Sequence, residues 1–456
     1  MDDANSGHAL LVDLYELTMA AAYFEHQIDC RATFELFVRH LPTERSYLVA
    51  AGIESALDYL ENLHFTDSDV KFLRAQPAFR MVSDKFFAYL RGFRFTGDVE
   101  AVEEGTLVFA EEPIMQVTAP VLEAQVAETY LLSVVNFETL VASKAARVVS
   151  AARGRGVLEF GTRRAHGPEA GVRAARAAYV GGCVATSNVL AGYRYGVPLA
   201  GTAAHSWTQV FPTERESFQA LLETFPEQAI LLIDTYDALL GAETAAALGR
   251  AVPGVRLDSG DLVEKSRRVR QILDARGMQK TKIVASGDLN EYKIEELLAC
   301  GAPIDLFGVG TDLATSRDVP ALSVVYKLVE IERDGRIEYT TKFSDQKVYW
   351  PGRKQVHRFP REGRYSQDVV SRAGEHYDDA EPLLGPAMRN GKRARAQRPL
   401  AEIRAQTLVN LDCLPAPYHA LRAAPIYPVR KSATLDRLLD EARERYLSAP
   451  RATRVK

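Results

Sequence analysis

The middle of the chain alternates short β-branched and aliphatic segments with segments that carry apolar residues at helical spacing. The starts of the strand-like segments are about 20 to 40 residues apart, and no hairpin signal joins them. Strands that alternate with helices pair in parallel, so the pattern predicts a parallel sheet covered by helices. Six such segments in a row favour a barrel over the alternative of an open sheet. The predicted strands are VLEF 157–160, VPLAG 197–201, AILLID 229–234, GVRLD 254–258, KIVAS 282–286 and IDLFGVG 304–310.

Three of the intervening segments have the apolar spacing of amphipathic helices. They cover residues 214–225, 263–277 and 291–300. Gly277 and Gly301 stand where a C-terminal cap is expected for the second and third of these helices.

Polar and glycine-rich loops follow all of the predicted strands. In a barrel of parallel strands these loops gather at one face, which carries the active site. Any one loop is explained more simply as turn and N-cap residues. Six together, with arginines and a histidine among them, predict a binding site. The loops are 161–164, 202–205, 235–237, 259–261, 287–288 and 311–312.

Two loops late in the predicted barrel are suited to binding an anion. SGD 286–288 precedes Asn290, which is predicted to open a helix, and GVGTD 308–312 ends the last strand. Glycine turns let backbone N–H groups approach a phosphate, and a helix N-terminus adds about 0.3–1 kcal/mol. Neither turn has the spacing of a P-loop or of a dinucleotide fingerprint. Together they indicate a phosphorylated sugar more than a free nucleotide.

Charged side chains end two of the predicted strands. Arg163 and Arg256 are positioned where a guanidinium can meet a carboxylate or a phosphate with two hydrogen bonds. Asp258 lies two residues after Arg256 and therefore on the same side of an extended strand. Two roles are open for Asp258: binding ribose hydroxyls or Mg²⁺, and capping the helix that begins near Leu262. Arg164 alternates with Arg163, so it is predicted to point away and to be structural.

The amino-acid composition and net charge limit the classes of protein to which the chain can belong. The chain has 456 residues, of which 47% are hydrophobic and 25% charged, and a net charge of −4. This balance is typical of an ordinary soluble globular protein and favours neither nucleic acid nor a membrane surface as partner. The arginine-rich segments 389–406 and 430–456 are expected to be solvated helix faces and a frayed tail. Four widely spaced cysteines indicate buried free thiols in a reducing compartment, and the N-terminus lacks the pattern of a signal peptide. The sequence therefore predicts a cytoplasmic location.

The chain resembles the nicotinate phosphoribosyltransferases, ATP-assisted enzymes that join nicotinate to phosphoribosyl pyrophosphate in NAD salvage. The resemblance runs nearly end to end, and long motifs in a fixed order make it specific. The motifs are DLYELTMA 13–20, FELFVRHLP 34–42, YLVAAGIE 47–54, EFGTRRAHG 159–167, ATSNVLAG 185–192, GTAAHSW 201–207, LLIDTYD 231–237, VRLDSGDL 255–262, GVGTDL 308–313, VYKLVE 325–330 and PGRKQVHR 351–358.

The resemblance implies a type II phosphoribosyltransferase fold, in which an irregular α/β barrel adjoins an α/β sandwich. On this basis residues 1–110 are expected to form the first part of the sandwich domain, 111–345 the catalytic barrel, and 346–456 a segment that returns to the sandwich. It also implies ATP as co-substrate, Mg²⁺ as cofactor, and a homodimer with shared active sites.

The resemblance further assigns roles to individual residues. His205 matches a histidine that ATP phosphorylates, and Asp234 an acid that orients it; Asp258 completes the expected catalytic set. Tyr15 matches a tyrosine that covers the pyridine ring, commonly from the second subunit, and Phe160 the aromatic on the other ring face. The other expected nicotinate-binding residues are Arg163, Ser187, Thr202 and Arg256.

A second set of residues matches positions around the ribose, its 5′-phosphate and the pyrophosphate. Asp258 and Asp288 are also the expected Mg²⁺ ligands. One departure is visible, because Thr162 and His166 stand where relatives often carry other residues; we interpret His166 as loop structure. The expected phosphoribosyl pyrophosphate-binding residues are Asp258, Gly287, Asp288, Gly308, Gly310 and Thr311.

Two competing hypotheses remain at the level of sequence. Nicotinamide phosphoribosyltransferases share the EFG, His-Ser and DSGD motifs in looser form, but they tend to carry an aspartate where this chain has Ser187. An aspartate would accept a hydrogen bond from an amide and repel a carboxylate, so serine favours nicotinate. The second hypothesis is a catalytically silent barrel that only binds a nucleotide or a partner. Intact His205, Arg256 and Asp258 argue against it.

Overall fold

The computed structural model of the protein describes residues 8–343 and 348–448. By internal contacts the chain divides into two compact units. The N-terminal unit comprises Met1–Thr139, Ala321–Arg398 and Val409–Lys456, and the central unit comprises Leu140–Pro320 and Pro399–Leu408. The expected catalytic segment 111–345 thus extends beyond the main stretch of the central unit at both ends.

The helices and strands are numbered in chain order. The helices are α1 Leu14–Glu25, α2 Ile53–Asn62, α3 Asp67–Arg74, α4 Asp84–Gly92, α5 Val121–Val126, α6 Glu128–Ala151, α7 Pro168–Val180, α8 Val189–Tyr195, α9 His205–Val210, α10 Glu214–Thr224, α11 Ala238–Ala246, α12 Leu262–Ala275, α13 Glu291–Ala299, α14 Thr311–Ala314, α15 Leu400–Cys413 and α16 Ala433–Ser448, with 3₁₀ turns at Pro77–Phe79, Thr162–Arg164 and Ala416–His419. The strands are β1 Arg31–Val38, β2 Leu48–Val49, β3 Asp98–Ala101, β4 Leu107–Val108, β5 Pro113–Pro120, β6 Gly156–Glu159, β7 Ala185–Thr186, β8 Ile230–Leu232, β9 Gly254–Leu257, β10 Lys282–Ala285, β11 Leu306–Val309, β12 Val324–Arg333, β13 Arg336–Tyr339, β14 Lys354–Arg361, β15 Arg364–Arg372, β16 Glu381–Pro382, β17 Gly385–Arg389, β18 Lys392–Arg393 and β19 Val429–Lys431.

The central unit is built on a six-stranded parallel sheet in the order β7-β6-β11-β10-β9-β8. Its strands carry apolar residues on both faces, as expected for a sheet buried between helices; Val255, Val284 and Phe307 have no exposed surface. With β7 and β8 as its edges, the sheet forms a half-barrel. The predicted parallel sheet is confirmed, and all of its carboxyl ends lie at one edge.

Capping residues mark the ends of two predicted helices in this unit, α12 and α13. α12 follows Asp261, whose carboxylate accepts hydrogen bonds from the N–H groups of Val263 and Glu264 at 3.0 Å. α13 follows Asn290, whose side chain caps it in the same way. Gly277 and Gly301 both take positive φ angles, +77° and +71°, just past the ends of these helices. The caps predicted at Gly277, Asn290 and Gly301 are therefore confirmed, and Asp261 is a cap that the sequence analysis did not assign.

One predicted strand is wrong. Residues 197–201 do not form a strand; Leu199 makes an isolated bridge to Thr186 and is 55% exposed. The edge position belongs instead to the two-residue strand β7 at Ala185–Thr186. A single apolar run bounded by glycine or proline does not by itself distinguish a strand from an extended loop.

The N-terminal unit contains a seven-stranded antiparallel sheet in the order β13-β12-β1-β5-β3-β17-β18 and a four-stranded sheet in the order β16-β14-β15-β19. Helices α1 to α4 belong to the same unit. Its core includes a buried ion pair, in which Lys354 Nζ lies 2.9 Å from Glu35 Oε2. The unit is thus assembled from both ends of the chain.

Two further predictions concern exposure. Of the four cysteines, Cys30 and Cys183 are buried as predicted, whereas Cys300 is exposed and Cys413 is half-buried, so the expectation is wrong for these two. In the arginine-rich C-terminal segment, α16 is a largely exposed helix, and residues 449–456 lie outside the described residues. Across residues 8–343 and 348–448, no helix has both the length and the apolar character needed to span a bilayer.

Candidate active site

A cavity of about 730 Å³ opens at the carboxyl ends of the parallel strands in the central unit. Barrels of parallel strands carry their active sites at this face, so the cavity lies where the sequence predicts a site. Most of the sequence-predicted site residues of this unit line it. The lining residues are Phe160, Thr162, Arg163, Arg164, Ser187, Gly201, Thr202, Ala203, Ala204, His205, Ser206, Leu232, Arg256, Asp258, Ser286, Gly287, Asp288, Gly308, Gly310 and Thr311.

Arg256 is held by three acceptors on the cavity wall. Its Nε donates to Ser286 Oγ at 2.7 Å, its Nη1 to Thr202 Oγ1 at 2.6 Å, and its Nη2 to Asp258 Oδ1 at 2.7 Å. The guanidinium has five N–H donors, so one remains on each Nη nitrogen for a ligand. Its carbon also lies 5.8 Å from the ring centre of Phe160, a cation–π contact. Arg256 is therefore fixed before any ligand arrives.

Asp258 faces the cavity and does not cap a helix. Asp261 caps α12, so the capping role left open for Asp258 is excluded. Its Oδ1 accepts from Arg256 and from Ser286 Oγ at 2.6 Å, whereas its Oδ2 lies 3.8 Å from His205 Nε2. The predicted same-side placement of Arg256 and Asp258 is confirmed.

His205 is the first residue of the short helix α9, and 43% of its side chain is exposed. Its Nδ1 lies 3.2 Å from Thr235 Oγ1, and its Nε2 points toward Asp258. Asp234 accepts from the Asp258 N–H at 2.8 Å and from Ser259 Oγ at 3.1 Å. Its other oxygen, Oδ1, is buried and has no hydrogen-bond partner among the described residues. Asp234 thus supports the strand end that carries Asp258 and retains one acceptor.

Phe160 forms part of the cavity wall because Gly308 leaves room for its ring. A Cβ at Gly308 would lie 2.6 Å from Phe160 Cδ2 and Cε2. The Phe160 N–H also donates to the carbonyl oxygen of Val309 at 2.9 Å. In this structure the glycine therefore admits an aromatic side chain, in addition to lining the cavity.

The turn after β10 is held close to the end of β9. Gly287 has φ +100°, and a Cβ there would lie 2.0 Å from the carbonyl oxygen of Asp258. Asp288 follows with φ +48°, and its carbonyl accepts from Lys293 Nζ at 2.7 Å. Gly287 and Asp288 line the cavity, and Asn290 caps α13 directly after this turn.

The turn after β11 carries Gly310 and Thr311, and Thr311 begins the short helix α14. Both residues line the cavity. On the opposite side of β6, Ser187 is exposed to the cavity, and its N–H donates to the carbonyl oxygen of Glu159 at 3.0 Å. Thr202 lines the cavity as the partner of Arg256.

Arg164 corrects one prediction, because it lines the cavity together with Arg163. The expectation that it points away assumed an extended strand, but β6 ends at Glu159 and Thr162–Arg164 form a 3₁₀ turn. In that turn successive side chains no longer alternate between two faces. The site therefore has two exposed guanidinium groups on this loop.

Three residues at or next to the cavity were not assigned a role from the sequence. Ser286 links Arg256 to Asp258, and Thr235 contacts His205. Both were visible only as members of strand-end loops. Thr162 lines the cavity, and its hydroxyl accepts from Asn188 Nδ2 at 3.0 Å.

Tyr15 lies in the N-terminal unit, on α1, and is not among the cavity-lining residues described above. It is 46% exposed. Partial burial and the neighbouring carboxylate of Glu128 raise the pKa of Tyr15. Its place over a substrate ring remains a prediction.

The residues around Asp258 and Asp288 fit a Mg²⁺ that is carried by a substrate. Mg²⁺ in proteins is commonly held by one or two carboxylates together with substrate phosphates and water. Asp258 Oδ2 and the exposed carboxylate of Asp288 offer two such ligands at the cavity. Within the described residues, no cluster of three or more His, Cys, Asp or Glu side chains offers a resident metal site.

Comparison with known proteins gives the family. The model of the nicotinate phosphoribosyltransferase N-terminal domain matches residues 10–136, and that of the nicotinate phosphoribosyltransferase family matches residues 156–346. The chain belongs to the nicotinate phosphoribosyltransferase family. The resemblance inferred from the motifs is therefore confirmed.

Relatives match over most of the chain. It is 45% identical to nicotinate phosphoribosyltransferase pncB2 of Mycobacterium tuberculosis H37Rv over 441 residues, covering 95% of this chain and 93% of the relative. It is 44% identical to nicotinate phosphoribosyltransferase of Bacillus subtilis over 394 residues, covering 84% of this chain and 79% of the relative.

The fold agrees with this assignment. The crystal structure of human nicotinic acid phosphoribosyltransferase superimposes with a TM-score of 0.81 at 28% identity, covering 94% of this chain and 99% of the human one. The predicted type II phosphoribosyltransferase fold is confirmed.

Proposed function

We propose that the protein transfers the phosphoribosyl group of phosphoribosyl pyrophosphate to nicotinate, yielding nicotinate mononucleotide and pyrophosphate in NAD salvage. One observation carries the proposal most directly. The cavity combines an aromatic wall, a pre-positioned arginine and two glycine turns at the ends of neighbouring strands. This combination of groups suits an aromatic acid and a phosphorylated sugar.

Nicotinate fits the part of the wall around Arg256. The two free N–H groups of Arg256 are suited to a carboxylate, and Phe160 offers a face for the pyridine ring. Arg163 adds a cation near ring and phosphate. Ser187 supports nicotinate over nicotinamide, because no acidic side chain stands at that position to repel the carboxylate.

Phosphoribosyl pyrophosphate fits the remainder of the lining. Gly287, Asp288, Gly308, Gly310 and Thr311 supply backbone groups, a carboxylate and a hydroxyl for ribose and phosphates. Mg²⁺ bound by Asp258 and Asp288 would neutralise the charge that the departing pyrophosphate acquires.

The transfer needs no general base. The lone pair of the pyridine nitrogen forms the new bond to C1 of the ribose, while the C1–oxygen bond breaks and its electrons leave with pyrophosphate. The sugar carries positive charge in the transition state, and the carboxylate of Asp258, which Arg256 and Ser286 hold in place, stabilises it together with that of Asp288. Stacking on Phe160, and on Tyr15 from a second subunit, holds the ring nitrogen in line.

ATP is proposed as co-substrate, with His205 as the phosphoryl acceptor. The imidazole is partly exposed and lies beside Asp258, so a phosphate on it would add a charge near −2 next to the pyrophosphate site. We propose that this charge recruits Mg²⁺ and so tightens binding of phosphoribosyl pyrophosphate. The unpartnered Asp234 Oδ1 supports a role for this acid in orienting the modified histidine.

A homodimer is proposed as the working assembly. Each unit leaves apolar side chains exposed: Leu11, Leu14 and Tyr15 in the N-terminal unit, and Val189 and Tyr193 on α8 in the central unit. Large exposed apolar patches are typical of interfaces. In this assembly Tyr15 would complete the pocket of the neighbouring chain. The proposed location of the enzyme is the cytoplasm.

The test is a substrate survey on the purified protein. Nicotinate or nicotinamide is incubated with phosphoribosyl pyrophosphate and Mg²⁺, with and without ATP, and mononucleotide formation is followed by chromatography. We expect nicotinate mononucleotide, formed faster with ATP. A higher kcat/KM with nicotinamide would assign the rival activity, and no product from either base would favour the silent barrel.

A further inference from the structure

Behind the cavity, the central unit contains a buried ion cluster centred on Lys144 of α6. Lys144 has 1% of its side chain exposed, and its Nζ lies 2.7 Å from Glu291 Oε2 and 2.9 Å from Asp318 Oδ1. Asp312 Oδ1 lies at 3.9 Å from the same nitrogen. One turn further along α6, Arg147 Nε donates to Glu291 Oε1 at 3.2 Å.

Two of the three acids of this cluster adjoin the two anion turns, and the third, Asp318, lies beyond the end of α14. Glu291 is the first residue of α13, three positions after Asp288. Asp312 directly follows Thr311 in α14. Lys144 therefore contacts the element that follows each turn, and β10 and β11 lead into those turns as neighbouring strands.

The positive charge of Lys144 offsets the repulsion between the neighbouring carboxylates. Glu291 has no exposed side-chain surface, and buried carboxylates that lie near one another repel. Burial raises the pKa of Asp312, the charge of Lys144 opposes that rise, and Glu291 reinforces it. Without the ammonium group, Arg147 and Arg317 would still pair with Glu291 and Asp312, but the acids would outnumber the cations next to a site for a polyanion. The two helix ends would also lose the group that joins them.

We propose that Lys144 is a positioning residue for phosphoribosyl pyrophosphate: through Glu291 and Asp312 it sets the spacing of the turns at 286–288 and 308–311. Its side chain is buried and is not among the cavity-lining residues, so it acts through the acids that it contacts. The inference rests on the proposed function in one respect, namely that these two turns bind the sugar phosphates.

The test compares Lys144→Met with a matched variant, Lys354→Met. Lys354 is also a buried lysine, paired with Glu35 at 2.9 Å in the N-terminal unit. Both variants are expected to lower the urea midpoint. Misplaced turns should raise the KM for phosphoribosyl pyrophosphate by about 10- to 100-fold in Lys144→Met, and the KM for nicotinate by less than about twofold. Lys354→Met should leave both constants near wild type, and Lys144→Arg should recover most of the loss because the charge is kept.

Thr311→Val separates this inference from the proposed function. If it raises the KM for phosphoribosyl pyrophosphate while Lys144→Met behaves like Lys354→Met, Lys144 is merely structural and the inference is overturned. If neither Thr311→Val nor Lys144→Met changes that KM, the turns do not bind the sugar phosphates, and both proposals fail. Should Lys144→Met not fold, Glu291→Gln weakens the contact between Lys144 and α13 and should raise the same KM selectively; an unchanged KM there overturns the inference as well.

Discussion

Substituting alanine for Gly287 tests how tightly the anion turn must approach the end of β9. The glycine has φ +100°, and an added Cβ would lie 2.0 Å from the carbonyl oxygen and 3.0 Å from the carbonyl carbon of Asp258. Both atoms belong to the backbone, so no change of rotamer relieves the contact. The turn or the strand end must move by at least about 1 Å, a displacement that costs about 100-fold in catalysis.

Gly277→Ala supplies the matched control. Gly277 has φ +77°, but no atom lies within 4 Å of the position its Cβ would take. The strain of a left-handed alanine, about 1–2 kcal/mol, is therefore common to both variants. Only Gly287→Ala adds the contact with Asp258, which contributes about 1–3 kcal/mol of overpacking.

The measurements are urea unfolding and steady-state kinetics with each substrate varied. Gly277→Ala should lose about 1–2 kcal/mol of unfolding free energy and keep its kcat/KM. Gly287→Ala should lose more stability, and its kcat/KM for phosphoribosyl pyrophosphate should fall by about 100-fold. If Gly287→Ala matches Gly277→Ala in both measurements, the close approach of the turn to Asp258 does not hold the site together.

Three further predictions concern the roles of single residues. Arg256→Lys should raise the KM for nicotinate by about 10- to 100-fold, because the bidentate carboxylate contact is lost. It should raise the KM for phosphoribosyl pyrophosphate far less. Equal effects on the two constants would assign Arg256 to phosphate. His205→Ala should abolish ATP hydrolysis but leave slow ATP-independent transfer, and mass spectrometry should find one acid-labile phosphate only on the wild type; ATP hydrolysis coupled to product in the variant would make His205 a packing residue. Mixing Tyr15→Ala chains with Asp258→Asn chains should restore activity in verified heterodimers, and no recovery would indicate sites built within one chain.

The sequence predicts the part of the site that follows from local rules. Apolar runs mark β9 and β10, so the residues after them can be assigned to one edge of a parallel sheet, as Asp258 and Gly287 are. The period of two correctly joins Arg256 to Asp258 because both belong to extended backbone. The same rule fails for Arg164, since the strand ends five residues earlier and a 3₁₀ turn follows.

Other features depend on contacts between distant segments and leave no local pattern. Ser286 resembles any residue of a glycine turn until the register of β9 and β10 brings it to Arg256. The need for glycine at 308 becomes visible only when the ring of Phe160, more than a hundred residues away in sequence, is in place. Lys144 lies within a long helix, and its proposed role becomes visible only through its ion pair with Glu291, which is distant in sequence. In each case the partner is chosen by tertiary packing, which a single sequence does not reveal.

The cavity wall is a connected set in which each residue restrains the next. Asp234 holds the backbone of Asp258, Asp258 and Ser286 hold Arg256, and Arg256 holds Thr202. Hydrogen bonds of this kind fix the donors and acceptors before substrate binds, so little reorganisation is left for the transition state. They also make the residues energetically dependent on one another, because removing one frees its neighbours to turn. A loss measured at Arg256 therefore includes any turning of Thr202, its partner on the nicotinate side, and is not the strength of one carboxylate contact.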